Sequence, residues 1–187
     1  LCCDPRLLYE GYRGGSAKLE TCMELVQSGV EAGHRILLFS QFTSMLDLLK
    51  RRLEREKIAC FLLTGETPKE ERLRLVRAFQ KGQAPVFLIS LKAGGTGLNL
   101  TEADMVIHYD PWWNAAAQEQ ATDRAYRIGQ TRQVSVFKLI TRGTIEENIV
   151  KLQQSKQALA LQAAAGAGVM GTLSREELLE LFSQEGL

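Results

Sequence analysis

Short apolar runs alternate with longer amphipathic stretches along most of this chain. Ile36-Leu37-Leu38-Phe39 is wholly apolar, as a parallel strand covered on both faces requires. Ala59 to Leu63, Val86 to Ser90 and Val106 to Tyr109 repeat that pattern, and Val134 to Ile140 alternates enough to lie nearer a sheet edge. The stretches between them predict helices. Ser16 caps one that runs to about Ala32 and is closed by Gly33. A second runs from about Thr43 to Glu56, with Met45, Leu46, Leu49 and Leu53 at helical spacing. Thr67-Pro68-Lys69-Glu70 is a helix start with Thr at the N-cap, Pro at the first position and Glu at the third, and Gly82 ends that helix. Asn114 caps a further helix stopped by Gly129, and Thr144-Ile145-Glu146-Glu147 opens another to about Leu161. Strands alternating with helices of this length predict a parallel, doubly wound α/β sheet with helices on both faces.

The ends read differently. Residues 1–15 carry Pro5, Gly11, Gly14 and Gly15 and predict a linker arriving from an upstream element. The body is expected over residues 16–143 and a helical tail over 144–187. In the tail, the small residues from Ala163 to Gly171 suggest a hinge, and Ser174-Arg175-Glu176-Glu177 opens a last short helix carrying Leu178, Leu179 and Leu181.

Bulk composition narrows the function classes. The chain has 187 residues, 45% of them apolar and 24% charged, enough for one domain with a full core. Its net charge of +1, from 23 basic and 22 acidic residues, gives no global basic field, so any nucleic-acid contact must be local. Cys2, Cys3, Cys22 and Cys60 form no C-x-x-C pair, and His34 and His108 are far from them in sequence, which argues against a zinc site. Cys22 and Cys60 read as buried small hydrophobes, and Cys2 and Cys3 as free thiols in a reducing, intracellular compartment. No signal peptide and no apolar run near 18 residues is present, so no membrane span is expected. Leu1 is not a natural start residue, and the chain is expected to be a piece of a longer protein.

In an open parallel sheet, ligands bind at the carboxyl ends of strands. The loops there are Ser40-Gln41, Thr64-Gly65, Ser90 to Gly97, and Asp110-Pro111-Trp112-Trp113-Asn114. Three of the four begin with a small hydroxyl residue, which lets backbone N–H groups approach phosphate oxygens closely. The third adds Lys92, Gly94, Gly95, Thr96 and Gly97. It reads either as a tight turn or as a phosphate surface, and it matches neither G-x-x-x-x-G-K-[ST] nor G-x-G-x-x-G. No Asp-Glu pair follows a strand to hold magnesium. The two tryptophans could stack on bases, or one could enter the core while the other packs under a loop. His108 reads as a core histidine. On the helix after Asn114, Gln120, Arg124 and Arg127 fall at i, i+4 and i+7 and form one stripe. It is either a solvated face or a row of guanidiniums suited to phosphate charge.

SQF after the first strand, LTGETPKEERLRLVRAFQ, LISLKAGGTGLNLTEADMVIHYDPWWN and QATDRAYRIGQTRQV occur here in order. Together they resemble the second RecA-like lobe of the Snf-type ATPases, the helicase-like DNA translocases of superfamily 2. The resemblance covers about residues 16–160 and looks bacterial or archaeal. It implies roles residue by residue. Arg124 and Arg127 match the motif whose arginines reach ATP bound on the first lobe, and Gln120 is that motif's glutamine. Ser90 to Asn99 matches a motif touching both nucleic acid and the nucleotide cleft, which places Gly94, Gly95, Thr96, Gly97 and Asn99 near the nucleotide. Ser40, Gln41, Thr64, Gly65, Ser90 and Lys92 are the implied contacts to the DNA backbone, although the family often carries Asp where Thr64 stands.

The implied cofactor is ATP with magnesium, bound mainly by an N-terminal lobe that carries Walker A and the DExH-type box. The implied partners are duplex DNA, contacted without regard to sequence, and that N-terminal lobe. The chain alone is expected to be monomeric, inactive as an ATPase, and cytoplasmic (nucleoid-associated, or nuclear in a eukaryote). Both arginines are expected to be exposed and facing an empty cleft. Two other readings stay open: a RecA-like fold used only to bind a partner, and a small-molecule α/β enzyme.

Overall fold

Five parallel strands form the sheet, in the order β2-β3-β1-β4-β5. The structure is a computed structural model and describes residues 2–9, 11–94, 98–125 and 133–164, with residues 94 and 156–164 described by backbone alone. The elements are α1 (Ala17–Glu31), β1 (Ile36–Ser40), α2 (Thr43–Arg55), β2 (Cys60–Leu63), α3 (Lys69–Gln80), β3 (Val86–Ser90), the single turn α4 (Leu91–Gly94), β4 (Met105–His108), α5 (Ala115–Thr122), β5 (Ser135–Lys138) and α6 (Ile145–Ala164).

Alternate residues of each central strand serve opposite faces, as a period of two requires. Leu37 and Phe39 of β1, with Phe87, Ile89 and Val106, pack against Leu75, Val76 and Phe79 of α3 and Ala121 of α5. Ile36, Leu38, Leu88 and Ile107 pack against Leu19, Cys22, Met23 and Val26 of α1 and Met45, Leu46, Leu49 and Leu53 of α2. Both faces are therefore dry, which explains why β1 and β3 are apolar up to their last residues, Ser40 and Ser90. β5 lies at the edge, as expected for Val134 to Ile140, and all four of its residues are exposed.

Local signals set most boundaries. The Ser16 hydroxyl accepts from the Leu19 N–H at 3.3 Å and caps α1, and Gly33 follows the helix at φ +80°. Asn114 caps α5 by accepting from the Ala117 N–H at 3.3 Å. The start of α3 differs from the expected pattern. The helix begins at Lys69, and the Thr67 hydroxyl accepts from the Thr64 N–H at 3.0 Å rather than capping the helix.

Residues 2–8 do not behave as a free linker. Cys3 and Asp4 are buried. The Tyr109 hydroxyl donates to the Cys3 carbonyl at 2.9 Å, and the Thr141 hydroxyl to the Cys2 carbonyl at 3.3 Å. Asp4 caps the single 3-10 turn Pro5–Leu7 and pairs with Arg6 at 2.6 Å. The four cysteines are free thiols. Burial pushes the Cys3 and Cys22 thiols up to about 12, so they behave as apolar side chains. Cys60 is only half-buried. Among the described residues, no helix is long and apolar enough to cross a membrane.

Candidate functional site at the strand carboxyl ends

Sheet register brings the candidate loops to one edge. Ser40 and Ser90 stand opposite each other at the ends of β1 and β3, and Phe39 pairs with His108 beside them. Thr64 follows β2, and Asp110 lies just after β4. Four strand-end loops thus share a rim, as a parallel sheet dictates.

Asp110 is the hub of this rim. Only 1% exposed, it accepts from the Ser40 hydroxyl and, at 3.0 Å, from the Gln41 N–H. Gln41 returns the tie by donating its side-chain amide to the Pro111 carbonyl at 3.1 Å. The Ser40 hydroxyl also accepts from the Phe42 N–H at 3.1 Å. Burial pushes the Asp110 carboxyl above its ordinary value, against the smaller opposing effect of these hydrogen bonds. The sequence alone pointed to Ser40 as a DNA contact. The structure buries it fully and spends its hydroxyl inside the protein. Ser90 is likewise buried, at 2% exposure. Gln41 and Thr64 are half-buried, while Gly65, Lys92, Asn99 and Gln120 are exposed. Gly94 ends α4, and Gly95, Thr96, Gly97 and Arg127 lie outside the described residues.

The arginine stripe departs from expectation. α5 stops at Thr122, before Arg124, so Gln120 and Arg124 do not share a continuous helix. The Thr122 hydroxyl donates back to the Gln118 carbonyl at 3.2 Å, a bond that strains a helix. The Asp123 N–H still bonds four residues back, to the Glu119 carbonyl at 2.9 Å, but the following two bond three back, Arg124 to the Ala121 carbonyl at 3.2 Å and Ala125 to Thr122 at 3.0 Å. This tighter turn carries Arg124 inward to 3% exposure, where its carbonyl accepts from the Leu100 N–H at 3.2 Å. Arg124 is therefore buried, not exposed as expected.

His108 sits behind the rim, stacked on Phe39 with ring centroids 5.4 Å apart. Its Nε2 lies 2.8 Å from the Thr122 hydroxyl, whose own hydrogen goes to the Gln118 carbonyl, so Nε2 carries the proton. Burial, with a smaller effect from Lys138, pushes the imidazole down to about 4. It is a neutral core residue and not an acid–base catalyst for pH 7.

Two groups of residues emerge that the local sequence pattern did not single out. Gln118 is 2% exposed; its side-chain carbonyl accepts from the Gln153 amide of α6 at 2.9 Å and from the Trp112 N–H at 3.4 Å. Gln153 also donates to the Trp112 carbonyl. Trp112 packs on the core, while Trp113 is 56% exposed and stacks on it at 5.8 Å. Lys18 of α1 pairs with Glu146 of α6, its Nζ 2.6 Å from both carboxylate oxygens. A buried amide at mid-helix, or a Lys in the first turn of an amphipathic helix, is the faint sequence trace of each.

Among the described residues, Lys92 and the bare backbone near Gly65 are exposed donors at the rim, a set that fits phosphate oxygens. Among the described residues, no cluster of three or more His, Cys, Asp or Glu could hold a metal ion.

A family model described as the helicase conserved C-terminal domain matches residues 17–129. A Bacillus subtilis (strain 168) protein, YwqA, provisionally named an ATP-dependent helicase/translocase, is 46% identical over 190 residues, a match covering 97% of this chain and 20% of that protein. Among solved structures, the Sulfolobus solfataricus SWI2/SNF2 ATPase core in complex with dsDNA superposes with a TM-score of 0.73 at 37% identity, covering 96% of this chain and 39% of that one. The C-terminal part of the Fun30 ATPase domain also gives a TM-score of 0.73, at 31% identity, covering 91% of this chain and 50% of that one. The chain spans between 16% and 20% of the length of the first three curated relatives it matches.

Proposed function

Because this chain belongs to the helicase conserved C-terminal domain family, as a second RecA-like lobe of the SNF2 type, we propose that it is half of an ATP-dependent motor that moves along duplex DNA. In this reading residues 16–143 form the lobe and 144–187 a brace and tail. An N-terminal lobe of the same protein supplies Walker A, the DExH-type box and the magnesium ligands. The observation that carries the reading is the convergence of the β1, β2, β3 and β4 loops on one rim, with Gly65 and Lys92 exposed there.

When ATP is bound between the lobes, it supplies the phosphoanhydride bond to be hydrolysed. Arg127 then neutralises charge on the transferring phosphate, a contribution worth about 10³ to 10⁵ in turnover for an arginine finger. Arg124 is buried, so its direct contact with a nucleotide requires the turn after α5 to open. The glycine-rich segment after β3, with Asn99, would contribute the nucleotide-side contacts of this lobe. Thr64, Gly65, Gln41 and Lys92 contact the DNA backbone, while Ser40 and Ser90 shape their loops from within. Contacts to phosphate carry no base information, so tracking is independent of sequence and sensitive to salt. Cleft closure and DNA binding favour each other equally, by linkage. Such a motor works in the cytoplasm on the nucleoid, or in a nucleus.

The test uses the complete two-lobe protein. ATP hydrolysis is measured with and without duplex DNA for the parent and for Arg127→Ala. Arg127→Ala should abolish turnover while ATP still binds; hydrolysis at the parent rate would sink the assignment. This chain alone should hydrolyse ATP negligibly, and robust turnover by it would overturn the two-lobe reading.

A further inference from the structure

One side chain ties down the loop between β2 and α3. Arg72, one turn into α3, donates from Nε to the Thr67 carbonyl at 2.8 Å. Its Nη2 reaches the Thr64 carbonyl at 3.1 Å and the Gly65 carbonyl at 3.0 Å. Thr67 closes the loop from the other side. Its hydroxyl accepts from the Thr64 N–H at 3.0 Å, and its N–H donates to the Thr64 carbonyl at 3.3 Å.

Peptide geometry gives this clamp a consequence. None of the described peptide bonds is cis, and in a trans peptide the N–H points opposite to the C=O. The Thr64 carbonyl shares its peptide unit with the Gly65 N–H, and the Gly65 carbonyl with the Glu66 N–H. A guanidinium that draws both carbonyls inward turns both N–H groups outward. Gly65 and Glu66 are exposed, and their N–H groups meet no acceptor among the described residues. Two adjacent outward N–H groups on a bare backbone make a small anion cradle.

We propose that Arg72 is a positioning residue that presents the Gly65 and Glu66 amides to a phosphate of the DNA backbone. The inference rests on the DNA-tracking reading above and deepens it by naming the donors and what aims them. Arg72 acts through the backbone and touches no DNA itself. Its fixed planar fork is what lets one side chain hold several carbonyls at once. A lysine ammonium is a single point charge on a flexible stem and cannot reproduce that fork. The Glu66 carboxylate opposes an anion here, so the amides must act at short range, where hydrogen bonding outweighs a screened exposed charge.

The experiment compares Arg72→Lys and Gly65→Pro with the parent in the complete two-lobe protein. Gly65→Pro deletes one of the two N–H donors and leaves Arg72 in place. Duplex affinity is measured by fluorescence anisotropy, ATP KM and kcat at saturating duplex, and thermal midpoint by melting. Arg72→Lys should raise the duplex Kd about tenfold, the scale of one charge-assisted hydrogen bond. Its ATP KM, its kcat at saturating duplex and its thermal midpoint should stay near the parent. Gly65→Pro should weaken duplex binding to a similar degree. If Gly65→Pro weakens binding and Arg72→Lys does not, the positioning role is refuted while the loop remains a DNA contact. If neither variant changes duplex affinity, the loop is not on DNA, and both this inference and that part of the function reading fall. If Arg72→Lys lowers the thermal midpoint and worsens ATP KM and duplex Kd in equal proportion, the residue is merely structural and the proposal is overturned.

Discussion

The contact between Lys18 and Glu146 offers the sharpest energetic test of how α6 is fastened to the lobe. Lys18 Nζ lies 2.6 Å from both Glu146 oxygens, and the two side chains are 6% and 5% exposed. Lys18 also stands 5.4 Å from the centre of the Tyr109 ring, and Glu146 accepts from the Thr141 N–H at 2.8 Å. Removing one partner strands a buried charge, which costs about 3–5 kcal/mol. Removing both charges, as in Lys18→Met with Glu146→Leu, is far milder, because a buried pair gives back little beyond its own desolvation. What remains is the orphaned Thr141 N–H, a loss of about 1–3 kcal/mol.

A double-mutant cycle reads this directly. Urea unfolding followed by tryptophan fluorescence, with a slope of about 2 kcal/mol per molar, should show each single variant losing about 2 M in midpoint. The double variant should recover much of that loss, with a coupling energy above about 3 kcal/mol. Costs below about 1 kcal/mol for the single variants, as exposed pairs give, would refute the reasoning. So would single costs that simply add in the double variant.

His108 makes stability depend on pH. Its buried imidazole sits near 4 against an ordinary 6.5, so the unfolded chain binds more protons between those values. Stability is therefore full above about 6.5 and falls by about 3 kcal/mol as pH drops towards 4. His108→Gln should flatten that slope in pH-dependent unfolding, and an unchanged slope would show that the imidazole is not its source. Lys92, exposed at the rim, should contribute one phosphate contact. Lys92→Ala should then weaken duplex binding equally across unrelated sequences and reduce the salt slope by about 1; a loss confined to one sequence would contradict a backbone contact.

What was legible in the sequence was local. The apolar runs at Ile36 and Val86 could only be strands covered on both faces, and Ser16 and Asn114 announced helix starts that the structure confirms. What was hidden depends on partners distant in the chain. The Ser40 hydroxyl looked free after a strand, but Asp110, 70 residues away, claims it. Residues 2–8 looked like a linker because nothing nearby shows that Tyr109 and Thr141 hold their carbonyls. The arginine stripe assumed that α5 continues through Arg124. Thr122 defeats that by turning its hydroxyl back to Gln118 and towards His108.

These hidden bonds also join the rim to α6. Asp110 binds the β1 loop, and the chain runs from it through Pro111 to Trp112. The Trp112 backbone meets Gln118 of α5 and Gln153 of α6, and those two amides bond each other at 2.9 Å. Amides at such a junction leave a buried donor or acceptor orphaned if any one of the three elements shifts alone, a cost of about 1–3 kcal/mol for each group. Lys18 and Glu146 fasten the first turn of α6 in the same manner. The β4 loop, α5 and the first turns of α6 are therefore held to move together. A displacement of α6 by whatever it packs against would reach the rim through Trp112.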